Sequence, residues 1–328
     1  MSTPASPSEV QPRTGLVIGS VAATLLLASL GQTIVSTALP TIVSELGGLD
    51  HLSWVVIAYL LSSTVVAPIY GKLGDLYGRK AVLQVAILVF LAGAGLSAVS
   101  TSMTFLIAAR AVQGLGGGGL MVIAMTVVAD VIPPRQRGKV QGVFGGVFGV
   151  STVVGPLLGG FIVEHLSWHW IFLVNLPVGL AAMAVIAAAL PARADRVEHS
   201  IDVAGFALLT GALSAIVLYT SLGGNTFGWT EPFMLAMLVA APVLLALFVW
   251  VESRAAEPVL PLGLFRNNTF VVVNAVGFIV GLAMFGSITF LPLYLQVAKG
   301  VSPTHSGLQL LPMMIGLKIG RASCRERV

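Results

Sequence analysis

Apolar residues in this chain come in long unbroken blocks, not in the strict alternation of a half-buried strand or the narrow stripe of a soluble helix. The blocks fall at about residues 15–38, 52–71, 82–100, 104–130, 139–163, 170–190, 202–222, 233–252 and 270–292, and a tenth begins near 305. About 20 apolar residues in helical form cross a hydrocarbon core of about 30 Å. Lipid cannot satisfy free backbone N–H and C=O groups, so each block is predicted to be an α-helix. The polar segments between blocks are short, and neighbouring helices are therefore antiparallel. The predicted fold class is all-α, a polytopic membrane protein with nine complete spans and a partial tenth.

Composition agrees. The 328 residues are 56% hydrophobic and 9% charged, with a mean hydropathy of +0.97, whereas a soluble domain carries about 25% charged residues. The net charge of +4 is scattered over short loops and forms no basic face for a nucleic acid. Cys324 is the one cysteine, which excludes an intrachain disulfide and a cysteine metal cluster. Residues 1–14 are polar and proline-bearing and read as a disordered N-terminus. The first block, with Ser36–Ala38 as a cleavage site, also has the form of a signal peptide. Its length and the many similar blocks after it favour a span.

Basic residues set the orientation. With the N-terminus in the cytoplasm, the inside segments hold Arg13, Lys72, Arg79, Lys80, Arg135, Arg137, Lys139, Arg193, Arg196, Arg254 and Arg266, and the outside loops hold only Lys299. The stretch GKLGDLYGRK, residues 71–80, is then a cytoplasmic turn. Topology accounts for Lys72 and Lys80. It leaves Asp75 and the glycines Gly71, Gly74 and Gly78, which read as a tight turn with close helix approach. Asp75 and Arg79 are spaced to pair locally. A second charged cluster, Asp130, Arg135, Arg137 and Lys139, flanks Pro133–Pro134 at the next inside turn. The two clusters are either ordinary solvated loops or a latch of exchanged ion pairs between two conformations.

Polar groups inside the blocks are the remaining candidates. Arg110, in LIAARAVQGLGGGG with Gln113 one turn on, costs about 2.5–3.5 kcal/mol at a helix centre and faces a cavity or the bundle interior unless it snorkels. Gly114, Gly116 and Gly119 match G-x-G-x-x-G formally, but no strand precedes them, so close helix packing is the better reading. In the fifth block, GGVFGVSTVVGPLLGG, Ser151, Gly155 and Gly159 form a ladder of small residues, and Pro156 favours a bend. That helix is either a moving part or a static packing element. Ser29, Gln32, Thr33 and Ser36 make a polar stripe on the first block, and Asn175 is a buried amide in the sixth; each lines a cavity or simply bonds between helices. His51, His165, His169, His199 and His305 lie in loops or near block ends. No metalloprotease, phosphate-loop or nucleophile-elbow motif is present, so neither an enzyme nor a cofactor or metal site is expected.

GKLGDLYGRK resembles the loop signature of the major facilitator superfamily, G-x-L-x-D-x-x-G-R-K/R, with Gly71, Leu73, Asp75, Gly78, Arg79 and Lys80 matching. LIAARAVQGLGGG is similar to the family's fourth-helix motif at Arg110, Gln113 and Gly114. STVVGPLLGG is similar to its fifth-helix antiporter motif at Gly155, Pro156, Gly159 and Gly160. GQTIVSTALP and WIFLVNLPVG resemble segments of the fourteen-helix drug:proton antiporter branch, and the likeness covers about residues 14–317. The resemblance implies two six-helix bundles rocking about a central cavity, with Asp75, Arg79 and Asp130 as a charge relay that shuts the cytoplasmic gate. It also implies Arg110 and Gln113 in the cavity wall, with Gln32, Thr33 and Asn175 as weaker cavity candidates.

On that reading residues 15–190 are the N-terminal bundle, 191–252 two linker spans and 253–317 the start of a second bundle. Residues 318–328, with Lys318, Arg321, Arg325, Glu326 and Arg327, form an atypical tail of foreign or frameshifted origin, leaving a C-terminally truncated permease. Where the branch has an acid in the first helix, in a pattern like L-D-x-T-I-V, this chain reads LGQTIV with Gly31. The function implied is export of amphipathic or cationic small molecules by proton-driven alternating access, from a monomer in the cytoplasmic membrane. A permease for one defined metabolite, or a fragment that does not transport, remains open.

Overall fold

The computed structural model describes residues 14–48, 51–189, 202–224, 226–255 and 258–300. Arg13, Arg193, Arg196, the tenth block and the 318–328 tail lie outside the described residues, as do the side chains of Arg135 and Lys139. The all-α expectation holds. The elements are α1 (Thr14–Leu46), α2 (Leu52–Tyr77), α3 (Arg79–Ala98), α4 (Met103–Val131), α5 (Pro134–His165), α6 (Trp170–Leu173), α7 (Asn175–Ala189), α8 (Val203–Leu222), α9 (Pro232–Glu252), a 3-10 turn (Leu262–Arg266) and α10 (Asn268–Val297). Among the described residues eight helices, α6 and α7 counting as one, are long and apolar enough to span a membrane; α10 opens with a ninth apolar stretch, Asn268–Ala283.

Two boundaries differ from the sequence reading. The first block was expected to end at residue 38, yet α1 runs 33 residues to Leu46 through Pro40. At 1.5 Å per residue that is about 50 Å, well beyond the hydrocarbon core. The stretch 71–80 is not a loop. Gly71 and Gly74 lie within α2, and only Gly78 separates α2 from α3. Gly78 has φ 84°, a left-handed conformation open to glycine, and is shared as the end cap of both helices. Gly74 is helical for a different reason: a Cβ there would come within 2.7 Å of the Ile123 side chain on α4.

The helices α1 to α7 pack together, with α4 between α2 and α3, and α1 against α5 and α7. The α8–α9 hairpin docks through α8 onto α2. One apolar cluster, around Leu25, Phe90, Leu120 and Ile123, fills the end that carries Gly78. A second, around Ile34, Leu106, Trp168 and Phe172, fills the opposite end. At that end Trp168 Nε1 donates 2.7 Å to Glu45 Oε2.

Between lipid and protein there is little hydrophobic gain, so helix association rests on close packing. The glycines supply it. A Cβ on Gly114 or Gly118 would strike the carbonyl oxygen of Tyr59 or Ser63 on α2, and a Cβ on Gly116 would strike the backbone of Phe90 on α3. On α3, Gly93 meets the Gln113 backbone in the same way. The run QGLGGGG is therefore a two-sided packing surface in mid-helix, which also rules out the dinucleotide reading of its glycines.

Candidate functional site

Polar side chains cluster in three places. The first is at the Gly78 joint. Arg79 Nη1 reaches Asp130 Oδ2 at 2.6 Å and also donates to the Thr126 carbonyl, both on α4. Arg79 Nη2 reaches Asp75 Oδ1 on α2 at 3.4 Å. One guanidinium thus joins α2, α3 and α4. Its side chain is 23% exposed, against 42% for Asp130 and 67% for Asp75, so Asp130 is the better placed partner. Lys80 Nζ donates 2.6 Å to the Ala187 carbonyl and ties α3 to the end of α7. Leu73 packs against the apolar cluster below.

Of the second charged turn, Asp130 meets Arg79 as above. Arg137 turns back on its own hairpin and donates to the carbonyls of Ile132 and Ala129. Those are terminal α4 acceptors that lack an intrahelical donor, and a cation there also suits the helix dipole.

The second cluster is in mid-bundle. Arg110 is 1% exposed. Its Nε donates 3.3 Å to the Val55 carbonyl, its Nη1 donates 2.7 Å to Gln113 Oε1, and the group lies 4.4 Å over the Tyr59 ring. It does not snorkel; α2 and α4 enclose it. Gln113 Nε2 is buried with no hydrogen-bond partner among the described residues. It lies 3.6 Å from where a Cβ on Gly31 would stand, with Asn175 Oδ1 at 3.5 Å and Phe90 Cζ at 3.1 Å from that point. Asn175 Nδ2 donates to the Ile171 and Phe172 carbonyls, beside the one-residue break between α6 and α7.

The third is the seam between α1 and α5. Ser29 Oγ and Ser151 Oγ are 2.6 Å apart, and Thr33 Oγ1 donates 3.2 Å to the Ser151 carbonyl. A Cβ on Gly155 would strike Thr33 and one on Gly159 would strike Thr37. Ser29, Thr33 and Thr37 therefore meet Ser151, Gly155 and Gly159 in step, one turn at a time, as parallel helices. Gly160 has nothing within 4 Å of its Cβ position, and α5 stays helical through Pro156. The polar stripe expected on α1 splits. Ser29 and Thr33 turn to α5, while Gln32 and Ser36 are exposed.

Sequence reasoning missed Tyr59 and Thr126. A lone tyrosine in an apolar block and a backbone carbonyl leave no pattern to detect. His165 and His169 are not joined; His165 stacks on Phe161 and His169 bonds Ser167.

The sequence profile of the Major Facilitator Superfamily matches residues 21–205. The chain belongs to this superfamily. The matched region holds the Arg79 clamp, the Arg110 centre and the α1–α5 seam. An MFS-type transporter of Mycobacterium tuberculosis is 47% identical over 93% of the chain and 44% of its own length. The multidrug transporter protein MdtP of Bacillus subtilis is 42% identical over 94% of the chain and 57% of its own length. Multidrug resistance protein 3 of the same organism is 36% identical over 93% of the chain and 59% of its own length. The chain thus spans about half the length of the curated relatives it matches. Two solved superfamily members share the fold. The proton:xylose symporter XylE superposes with TM-score 0.55 and 13% identity over 92% of this chain and 66% of that one. The human organic anion transporter MFSD10 gives 0.52 and 18% over 69% and 60%.

Proposed function

We propose that this chain belongs to a multidrug efflux permease that works by proton-driven alternating access as a monomer in the cytoplasmic membrane, and that it supplies the N-terminal bundle of that permease. The observation that carries the reading is the Arg79 clamp. A single guanidinium holds the α2–α3 joint to the end of α4, which is the kind of polar contact one conformation makes and another breaks. Relatives named as multidrug transporters support drug-like small molecules as substrates; amphipathic or cationic compounds are the class proposed. In this reading Asp75, Arg79 and Asp130 latch the cytoplasmic gate, Arg110 and Gln113 stiffen the wall between α2 and α4, and Gly155 and Gly159 set the α1–α5 spacing. The α8–α9 hairpin is a linker pair outside the first bundle. The test is efflux of a cationic dye by the full-length protein in cells lacking related pumps, with and without a protonophore. Retention of dye irrespective of the protein would overturn the proposal.

The N-terminus and the Gly78 end face the cytoplasm in this reading. Lys72, Arg79, Lys80, Arg137, Arg254 and Arg266 support it, with Lys299 alone on the other side. A single cysteine at Gln136 is expected to resist an impermeant thiol reagent in whole cells and to react after permeabilisation. Ready labelling of intact cells would reverse the topology.

Proton coupling is expected to lack a first-helix contribution, because Gly31 provides no acid. Gly31→Asp places a carboxylate beside Gln113 Nε2, at the expense of a small shift of Phe90. A buried carboxyl binds its proton more tightly than one in water. Transport by Gly31→Asp is therefore expected to depend more steeply on pH than transport by the natural sequence. Equal pH profiles would place coupling elsewhere.

A further inference from the structure

One donor in the middle of the bundle is left over once the contacts of Arg110 are made. Gln113 is fully buried, and its amide is held in one orientation, because Oε1 accepts 2.7 Å from Arg110 Nη1. Nε2 therefore faces the other way, and it has no hydrogen-bond partner among the described residues. A buried donor in that condition bears its full desolvation penalty. Asn175 is oriented in the same manner. It is 3% exposed, and its Nδ2 donates to the Ile171 and Phe172 carbonyls at 3.2 and 3.1 Å, which turns Oδ1 away from α6. Both outward ends face Gly31, itself buried. The point where a Cβ on Gly31 would stand lies 3.6 Å from Gln113 Nε2 and 3.5 Å from Asn175 Oδ1, and Phe90 Cζ closes a third side at 3.1 Å. A donor from α4 and an acceptor from α7 thus meet on α1 at a residue without a side chain.

We infer that Gly31, Gln113 and Asn175 form a binding site for one water molecule, which accepts from Gln113 Nε2 and donates to Asn175 Oδ1. The chemistry selects this ligand. One neutral donor and one neutral acceptor call for a group that is acceptor and donor at once. A cation would meet the Gln113 amide hydrogens and the nearby charge of Arg110, and an anion would meet the Asn175 oxygen. Phe90 and the α1 backbone restrict the ligand to the size of a hydroxyl. A buried water on two to four polar partners is part of a fold rather than solvent in transit. The bare Cα of Gly31 admits it, since any side chain would stand in the same space. With the water in place, hydrogen bonds run from the Val55 carbonyl on α2 through Arg110, Gln113 and the water to Asn175 and the α6 carbonyls. The inference stands whichever compound the protein moves.

The test uses the full chain in detergent. Gly31→Ala and Gly31→Ser bring the same Cβ against Phe90, so the crowding is equal and the two differ by one hydroxyl. Ala displaces the water and leaves Gln113 Nε2 without an acceptor. Ser supplies an oxygen that accepts from Nε2 and donates to Asn175 Oδ1. The thermal midpoint of Gly31→Ser should therefore lie roughly 2 °C above that of Gly31→Ala. The advantage should shrink in an Asn175→Leu background, where the hydroxyl loses its acceptor. In a density map of the natural chain that resolves ordered water, one peak should lie within hydrogen-bond distance of both Gln113 Nε2 and Asn175 Oδ1. If Asn175→Leu does not fold, the Ser and Ala pair and the map still decide. Equal midpoints for Ser and Ala, an undiminished advantage without Asn175, or a map with no peak at this position would overturn the inference.

Discussion

Gly118→Leu is expected to leave almost no folded chain in the membrane. The Cβ would strike the Ser63 carbonyl oxygen and come within 2.7 Å of Val66 Cγ1. A flexible side chain moves aside, but the α2 backbone does not, so α2 and α4 must separate. Overpacking of a well-filled core costs about 1–3 kcal/mol and more where backbone is displaced, against a total stability of about 5–15 kcal/mol. Separation also opens the wall that encloses Arg110, whose Nε bonds the Val55 carbonyl on α2. A buried guanidinium that loses its acceptors adds its own penalty. Gly160→Leu is the control, since nothing lies within 4 Å of that position. Yield of monodisperse protein and thermal midpoint separate the two variants. A Gly118→Leu chain with the natural midpoint would show that α2 and α4 do not pack as closely as described.

The second large effect is expected at the Gly78 joint. Asp130→Asn should lower efflux by the full-length protein several-fold with little change in expression, and more than Asp75→Asn does. The order follows from geometry: Arg79 meets Asp130 at 2.6 Å and Asp75 at 3.4 Å, and Asp75 is the more exposed. In stability the pair is worth little. A half-exposed pair contributes about 0.2–1 kcal/mol, too little to unfold anything. As a bias between two conformations, about 1 kcal/mol is a five-fold change in population. Restoration of efflux by the charge-reversed pair, Arg79→Asp with Asp130→Arg, would support the clamp. Greater loss in Asp75→Asn than in Asp130→Asn would make Asp75 the principal partner of Arg79, and unchanged efflux in both would assign the motif to topology.

The sequence carried the spans, because hydrocarbon demands long apolar helices and nothing else fits. It also carried the pairing of Arg79 with Asp130 and Asp75, through motif resemblance, and the small-residue ladder on α5, through spacing alone. It failed at the ends of α1 and α2. Polar residues such as Ser44, Lys72 and Asp75 look like loop, yet a helix continues past the membrane core at no cost when its side chains are solvated. The Arg110 environment was half legible. Its burial followed from its position, but Tyr59 and the Val55 carbonyl come from another helix, and their contact depends on the α2–α4 distance that Gly114 and Gly118 set.

A joint of one residue has mechanical meaning. Between α2 and α3 there is no slack to absorb motion: Gly78 links two helices as a stiff corner links two beams. Tilting α2 must drag α3 with it, and through Lys80 the end of α7 as well. The corner also fixes phase. One inserted residue would turn Arg79 by about 100° around the α3 axis and aim its guanidinium away from Asp130, with every charge still present. Length at this point, rather than composition, is what the chain has least freedom to change.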